Sequence, residues 1–156
     1  MRVENAIGLG LRRRGWRLTV AESCTGGLLG HLITGVPGSS GYFVGGALVY
    51  SNELKVRLLN VPEALLERWG AVSAPVALQM AAGALELTGA EVALSITGIA
   101  GPGGGTAEKP VGLTYVGLAV PGERWVWRHL WEGRREANKR SSARAALWHL
   151  LDYLGA

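Results

Sequence analysis

The stretch Trp16-Arg17-Leu18-Thr19-Val20-Ala21-Glu22-Ser23-Cys24-Thr25-Gly26-Gly27 decides how the rest of the chain is read. Its first half is apolar and β-prone, and predicts a strand over Trp16 to Ala21. A helix is predicted next, from Gly26 to Thr34, closed by Gly35 and Pro37. A strand that runs into a helix is the repeating unit of α/β folds, and their ligands bind beyond the carboxyl ends of the strands. The turn here carries a hydroxyl, Ser23, beside a thiol, Cys24.

Outward from this unit the pattern continues. Val3, Ile7 and Leu11 stand at four-residue spacing and predict a helix over residues 3 to 14, ended by Gly15. After a Gly38–Gly41 loop, Tyr42 to Tyr50 reads as a second strand. Its Gly45-Gly46 pair signals a bulge or a close backbone approach. Helices are predicted from Asn52 to Leu59, from Pro62 to Gly70, and from an N-cap at Ser73 to Leu87. Glu91 to Thr97 and Val111 to Val120 read as strands, and Pro121-Gly122 turns the chain into a fifth. There Trp125, Trp127, His129 and Trp131 alternate with other residues, the period of a two-faced antiparallel strand. The last helix, Arg135 to Leu154, places Leu147, Leu150, Leu151 and Leu154 on one face. Early alternation and a late hairpin predict a single α/β domain over residues 1–156, a three-layer α/β/α sandwich on a mixed sheet.

Composition narrows the function classes. Apolar residues make up 48% of the 156, enough for a substantial core, and no run reaches the length of a membrane span. The first residues lack the apolar segment of a secretion signal, so a cytoplasmic location is expected. A single cysteine excludes internal disulfides, and His31, His129 and His149 are too scattered for a metal set; neither a metal nor a cofactor is expected. The net charge of +4 raises nucleic-acid binding. It is disfavoured because the basic residues near the C-terminus are spread around a helix, and a phosphorylated substrate suits a basic domain equally.

Three segments carry chemistry. Ser23 would ordinarily be a helix cap, but Thr25 could cap as well, leaving Ser23 beside unpaired helix-start amides that stabilise an oxyanion. Gly26 and Gly27 let a ligand approach that backbone. A serine nucleophile needs a base, and Lys55, in the first turn of the helix after Tyr50-Ser51-Asn52, is the candidate. The helix dipole and burial both disfavour its ammonium. Tyr50 could orient the lysine or relay a proton, Asn52 could read a carboxamide, and Cys24 is the rival nucleophile. The third segment is the glycine-rich loop Thr97 to Thr106, placed after a strand where a small anion could be wrapped. The tryptophan stripe is expected to be core or a subunit interface, and a homo-oligomer is expected.

Four motifs in order carry a resemblance. They are Ala21-Glu22-Ser23-Cys24-Thr25-Gly26-Gly27, Tyr50-Ser51-Asn52-Glu53-x-Lys55, Gly70-Ala71-Val72-Ser73, and Gly98-Ile99-Ala100-Gly101-Pro102-x-Gly104-Gly105 with Lys109-Pro110-Val111-Gly112. The chain resembles the C-terminal domain of the CinA (competence/damage-inducible) proteins, a family that includes stand-alone nicotinamide mononucleotide (NMN) deamidases. The resemblance implies hydrolysis of the nicotinamide carboxamide of NMN, with Ser23 as nucleophile, Lys55 as its partner and Tyr50 close by. Glu22, Thr25, Gly26, Gly27, Asn52, Thr97, Gly98 and Gly101 are the expected substrate-binding positions. Near the C-terminus the family has a Gly-x-Arg segment followed by an arginine one turn later. Here Gly133-Arg134-Arg135 is followed by Lys139-Arg140, so Lys139 or Arg140 is the expected substrate cation. Longer members carry a further N-terminal domain, whose activity is not carried over to these residues. The competing expectation is a non-catalytic nucleotide- or nucleic-acid-binding module.

Overall fold

In a computed structural model, which describes residues 1–155, the chain runs α1 (Val3–Arg14), β1 (Leu18–Glu22), α2 (Leu28–Thr34), β2 (Phe43–Leu48) and α3 (Asn52–Leu59). It continues through α4 (Glu63–Trp69), α5 (Ala74–Thr88), β3 (Val92–Gly98), β4 (Leu113–Val120), β5 (Glu123–Leu130) and α6 (Arg135–Leu154). All five residues of β1 are buried, because both of its edges are paired and both sheet faces are covered. The strand order is β2-β1-β3-β4-β5. β1 is parallel to β2 and β3, whereas β4 and β5 are antiparallel additions, so the sheet is mixed as the sequence predicts.

Two apolar cores define the three layers. On one face α1, α2 and α6 cover Leu18, Val20, Leu94, Ile96, Val116 and Leu118 with residues such as Ile7, Leu11, Leu147 and Leu150. On the other, α3, α4 and α5 cover Ala21, Ala47, Ala93 and Ala119 with Leu59, Val76 and Met80. The small side chains of that second face let α5 lie close to the sheet. The Gly45-Gly46 signal has its cause here: the β1–β2 register shifts between Leu18 and Thr19, and a Cβ on Gly46 would collide with the Val20 carbonyl.

Two local expectations are corrected. The Gly38–Gly41 loop holds a short 3-10 turn, Ser39–Gly41. Ser73 stands at the α5 N-cap, yet its hydroxyl donates to Gly70 O at 2.8 Å and caps no helix amide. The tryptophan stripe packs onto α6: Trp125 against Tyr153, Trp127 stacked on His149, and Trp131 Nε1 donating to Ser142 Oγ. Among the described residues no helix is long and apolar enough to cross a membrane.

This topology brings the carboxyl ends of the three parallel strands to one rim. β1 delivers Ser23, β2 leads through Val49 and Tyr50 into α3, and β3 leads into the glycine loop.

Candidate active site

Lys55 is 1% exposed, although lysine is among the residue types least often buried. Ser51 caps α3 by accepting from Leu54 N at 3.1 Å. One turn further on, Lys55 reaches back over the end of β2. Its Nζ donates to Val49 O at 2.9 Å and Tyr50 O at 3.2 Å, and stands 3.2 Å from Ser23 Oγ. Carbonyls only accept, so they fix two of the nitrogen's N–H bonds. The remaining direction faces Ser23: a third N–H in the ammonium, a lone pair in the free amine. Burial pushes Lys55 below the usual lysine range, while the nearby Cys24 sulfur opposes this. The amine form therefore presents its lone pair to the serine hydroxyl.

Ser23 follows β1 directly, anchored by its N–H donating to Ile96 O at 3.0 Å. The turn after it is held by Glu22, whose buried carboxylate accepts from Thr25 Oγ1 at 2.6 Å, Gly27 N at 3.2 Å, Leu29 N at 2.9 Å and Gly30 N at 3.0 Å. Glu22, Thr25 and Gly27 are among the expected substrate-binding positions, and the structure brings them together in this turn. Their polar groups are spent on one another, fixing α2 to β1. Gly26 N is likewise taken, by Ser23 O. The backbone amides of Cys24 and Thr25 donate to no other backbone carbonyl among the described residues. The Cys24 thiol is pushed up to about 11, first by burial, so it stays protonated near neutrality.

A cavity of about 260 Å³ opens over this pair. Ser23, Tyr50, Lys55, Thr97, Gly98 and Gly101 all line it, which unites six of the expected positions. Thr97 Oγ1 is committed to Ala71 O at 2.8 Å and so braces the wall. Tyr50 is 68% exposed and lines the cavity, and it is its carbonyl, not its hydroxyl, that meets the lysine. Asn52 lies elsewhere, in a groove with Glu53, Glu63 and Glu67 between α3 and α4. Arg140 is exposed and lines no part of the cavity. Lys139 is half-buried, with its Nζ beside Gly26. Arg135, outside the expected substrate-binding set, lines the cavity and donates to Gly101 O at 2.7 Å. Its place in the Gly133-Arg134-Arg135 segment was the signal for it.

The chain matches the family described as CinA C-terminal domain over residues 1–154. A "CinA-like protein" of Desulfotalea psychrophila is 52% identical over 148 residues, covering 95% of this chain and 36% of the relative. The chain thus spans about a third of the length of the curated relatives it matches. Among solved structures, a CinA superfamily protein from Klebsiella pneumoniae superposes with a TM-score of 0.94 at 33% identity, covering 98% of this chain and 96% of that one. The competence/damage inducible protein CihA from Agrobacterium tumefaciens gives a TM-score of 0.93 at 37% identity, covering 99% and 94%.

Proposed function

We propose that this chain, which belongs to the CinA C-terminal domain family, deamidates NMN to nicotinic acid mononucleotide and ammonia through a Ser23–Lys55 pair. The observation that carries the reading is the buried lysine nitrogen, pinned by two carbonyls with its third direction on Ser23 Oγ at 3.2 Å.

In the first half-reaction Lys55 takes the Ser23 proton as Oγ bonds to the carboxamide carbon. The amides of Cys24 and Thr25 receive the oxyanion, a charge that exists only at that stage. The C–N bond then breaks, the nitrogen collects the proton held by Lys55, and ammonia leaves an acyl-serine. In the second half-reaction Lys55 deprotonates water, which attacks the ester carbon. Oγ leaves with the proton, and the nicotinate carboxylate is released. The exposed face of Tyr50 offers a stacking surface for the pyridine. Arg135 and Lys139 supply the cations for the phosphate.

Incubating the protein with NMN and assaying ammonia tests the reading. Stoichiometric ammonia and nicotinic acid mononucleotide are the expected result. No ammonia release, with DNA binding that falls steeply as salt rises, would overturn it in favour of a binding module.

A further inference from the structure

Asn138 is a polar residue buried in the first turns of α6, 2% exposed. Its carboxamide is engaged at both ends. Oδ1 accepts from Gly133 N at 3.0 Å, while Nδ2 donates to Gly133 O at 2.9 Å and to Ala100 O at 3.0 Å. A Cβ on Gly133 would press on Asn138 Oδ1 and Ala137, so glycine there is what lets the turn close over the side chain. Asn138 therefore clamps the glycine loop to the helix that carries Arg135 and Lys139. Arg135 adds a parallel tie to the next carbonyl, Gly101 O.

The clamp has a consequence for the peptide it holds. The Ala100–Gly101 peptide is trans, so its C=O and N–H point in opposite directions. Holding Ala100 O toward α6 turns Gly101 N–H away from α6. α3 and α5 cover the face of the sheet opposite to α6, and Lys55 from α3 lines the cavity together with Ala71 and Val72 from the turn before α5. Gly101 N–H finds no acceptor among the described residues. An amide with no partner beside the Arg135 guanidinium is a donor set for a phosphate oxygen.

We propose that Asn138 is a positioning residue: by fixing Ala100 O it aims Gly101 N–H into the cavity as a donor to the phosphate of the substrate. That the phosphate belongs to a mononucleotide rests on the deamidase reading; the aim of the amide does not. Asn138→Asp keeps the acceptor for Gly133 N but sets a carboxylate oxygen against Ala100 O. Asn138→Val fills the same space with no polar group and serves where the carboxylate disturbs folding.

Amide-resolved nitrogen–proton NMR during titration with inorganic phosphate reads the donor directly. The Gly101 resonance should show a saturable shift in the unmodified protein, and the phosphate Kd should rise about tenfold in either variant, the loss expected from one misdirected charge-assisted hydrogen bond. With NMN as substrate, the same variants should raise KM about tenfold with kcat within about twofold, and leave KM for nicotinamide riboside unchanged. A Gly101 resonance unmoved by phosphate would overturn the donor assignment. An unchanged phosphate Kd in both folded variants would overturn the role of Asn138, as would equal effects on the two substrates. Phosphate binding with no NMN turnover would leave the subsite standing and sink the deamidase reading alone.

Discussion

His129 Nε2 and His149 Nε2 meet at 2.9 Å across the β5–α6 contact, with ring centroids 5.1 Å apart. That centroid spacing places the nitrogens head-on, so one imidazole donates and the other accepts. Trp127 stacks on His149 and Trp131 on His129, sealing the pair, and Asp152 is the charged neighbour, on α6. Burial lowers both histidines, and His129 lowers His149 further while Asp152 opposes that shift. The unfolded chain takes up these protons near pH 6.5, the folded protein only at lower pH. Between those limits the unfolded state binds more protons, so stability falls as pH drops through about 6.5. Each pH unit inside the window should cost up to about 1.4 kcal/mol per suppressed proton. Urea midpoints at about pH 5 and about pH 7.5 check this, and His149→Phe should flatten the difference.

Ser23→Ala should lower NMN turnover by at least about a thousandfold while changing stability by less than about 1 kcal/mol, since it deletes the nucleophile and little packing. Cys24→Ala should keep turnover within a few-fold, because a thiol held at about 11 is not the attacking group. Loss of turnover in Cys24→Ala alone, with Ser23→Ala active, would reverse the nucleophile assignment.

Glu22→Gln should destabilise the protein by about 2–3 kcal/mol. The substitution removes the charge from an acceptor that gathers Thr25, Gly27, Leu29 and Gly30, and one side-chain nitrogen must then face a donor. Turnover should fall with it, since the same carboxylate holds the turn that carries Ser23. A chemical-denaturation midpoint equal to that of the unmodified protein would show that the four contacts contribute nothing net.

Glu22 also marks the boundary between what local sequence pattern specifies and what tertiary packing adds. Local pattern places elements well: α3 and α6 have the bounds their periodicity predicts, and the strand–turn–helix at Ser23 is where its apolar run ends. The Ser23–Lys55 pairing was legible because each residue sits at a predicted element end. What local pattern does not specify is which atom of a residue does the work. Tyr50 meets Lys55 through its carbonyl, and Thr97 turns its hydroxyl to Ala71. Asn52, three residues before Lys55, lines another groove with Glu53 and Val56, whereas Lys55 reaches back to the carbonyls of Val49 and Tyr50. Asn138 gave no signal at all. Its role depends on a loop 38 residues earlier, a contact fixed by packing α6 against β3 and β4.

Lys55 should act as a base, which separates it from a residue that only supplies charge. Lys55→Arg keeps a cation that stays protonated at any working pH, so it should be about as inactive as Lys55→Met, both by at least about a thousandfold. The pH dependence follows from the direction of the shift. Burial lowers the folded-state value of Lys55, and the amine must be free to take the serine proton. For the unmodified protein, kcat/KM should therefore rise with pH through an apparent pKa below that of a free lysine, about 10.4. The same shift bears on stability with its own sign. Below about 10.4 the unfolded chain holds its lysine proton more firmly than the folded protein does, so burying Lys55 costs stability that is regained as pH rises. Lys55→Met removes that cost and fills the space with apolar atoms. It should be at least as stable as the unmodified protein near neutrality while showing no turnover. Near-normal turnover in Lys55→Arg would show that the site needs only a positive charge, and the Ser23–Lys55 mechanism would fall.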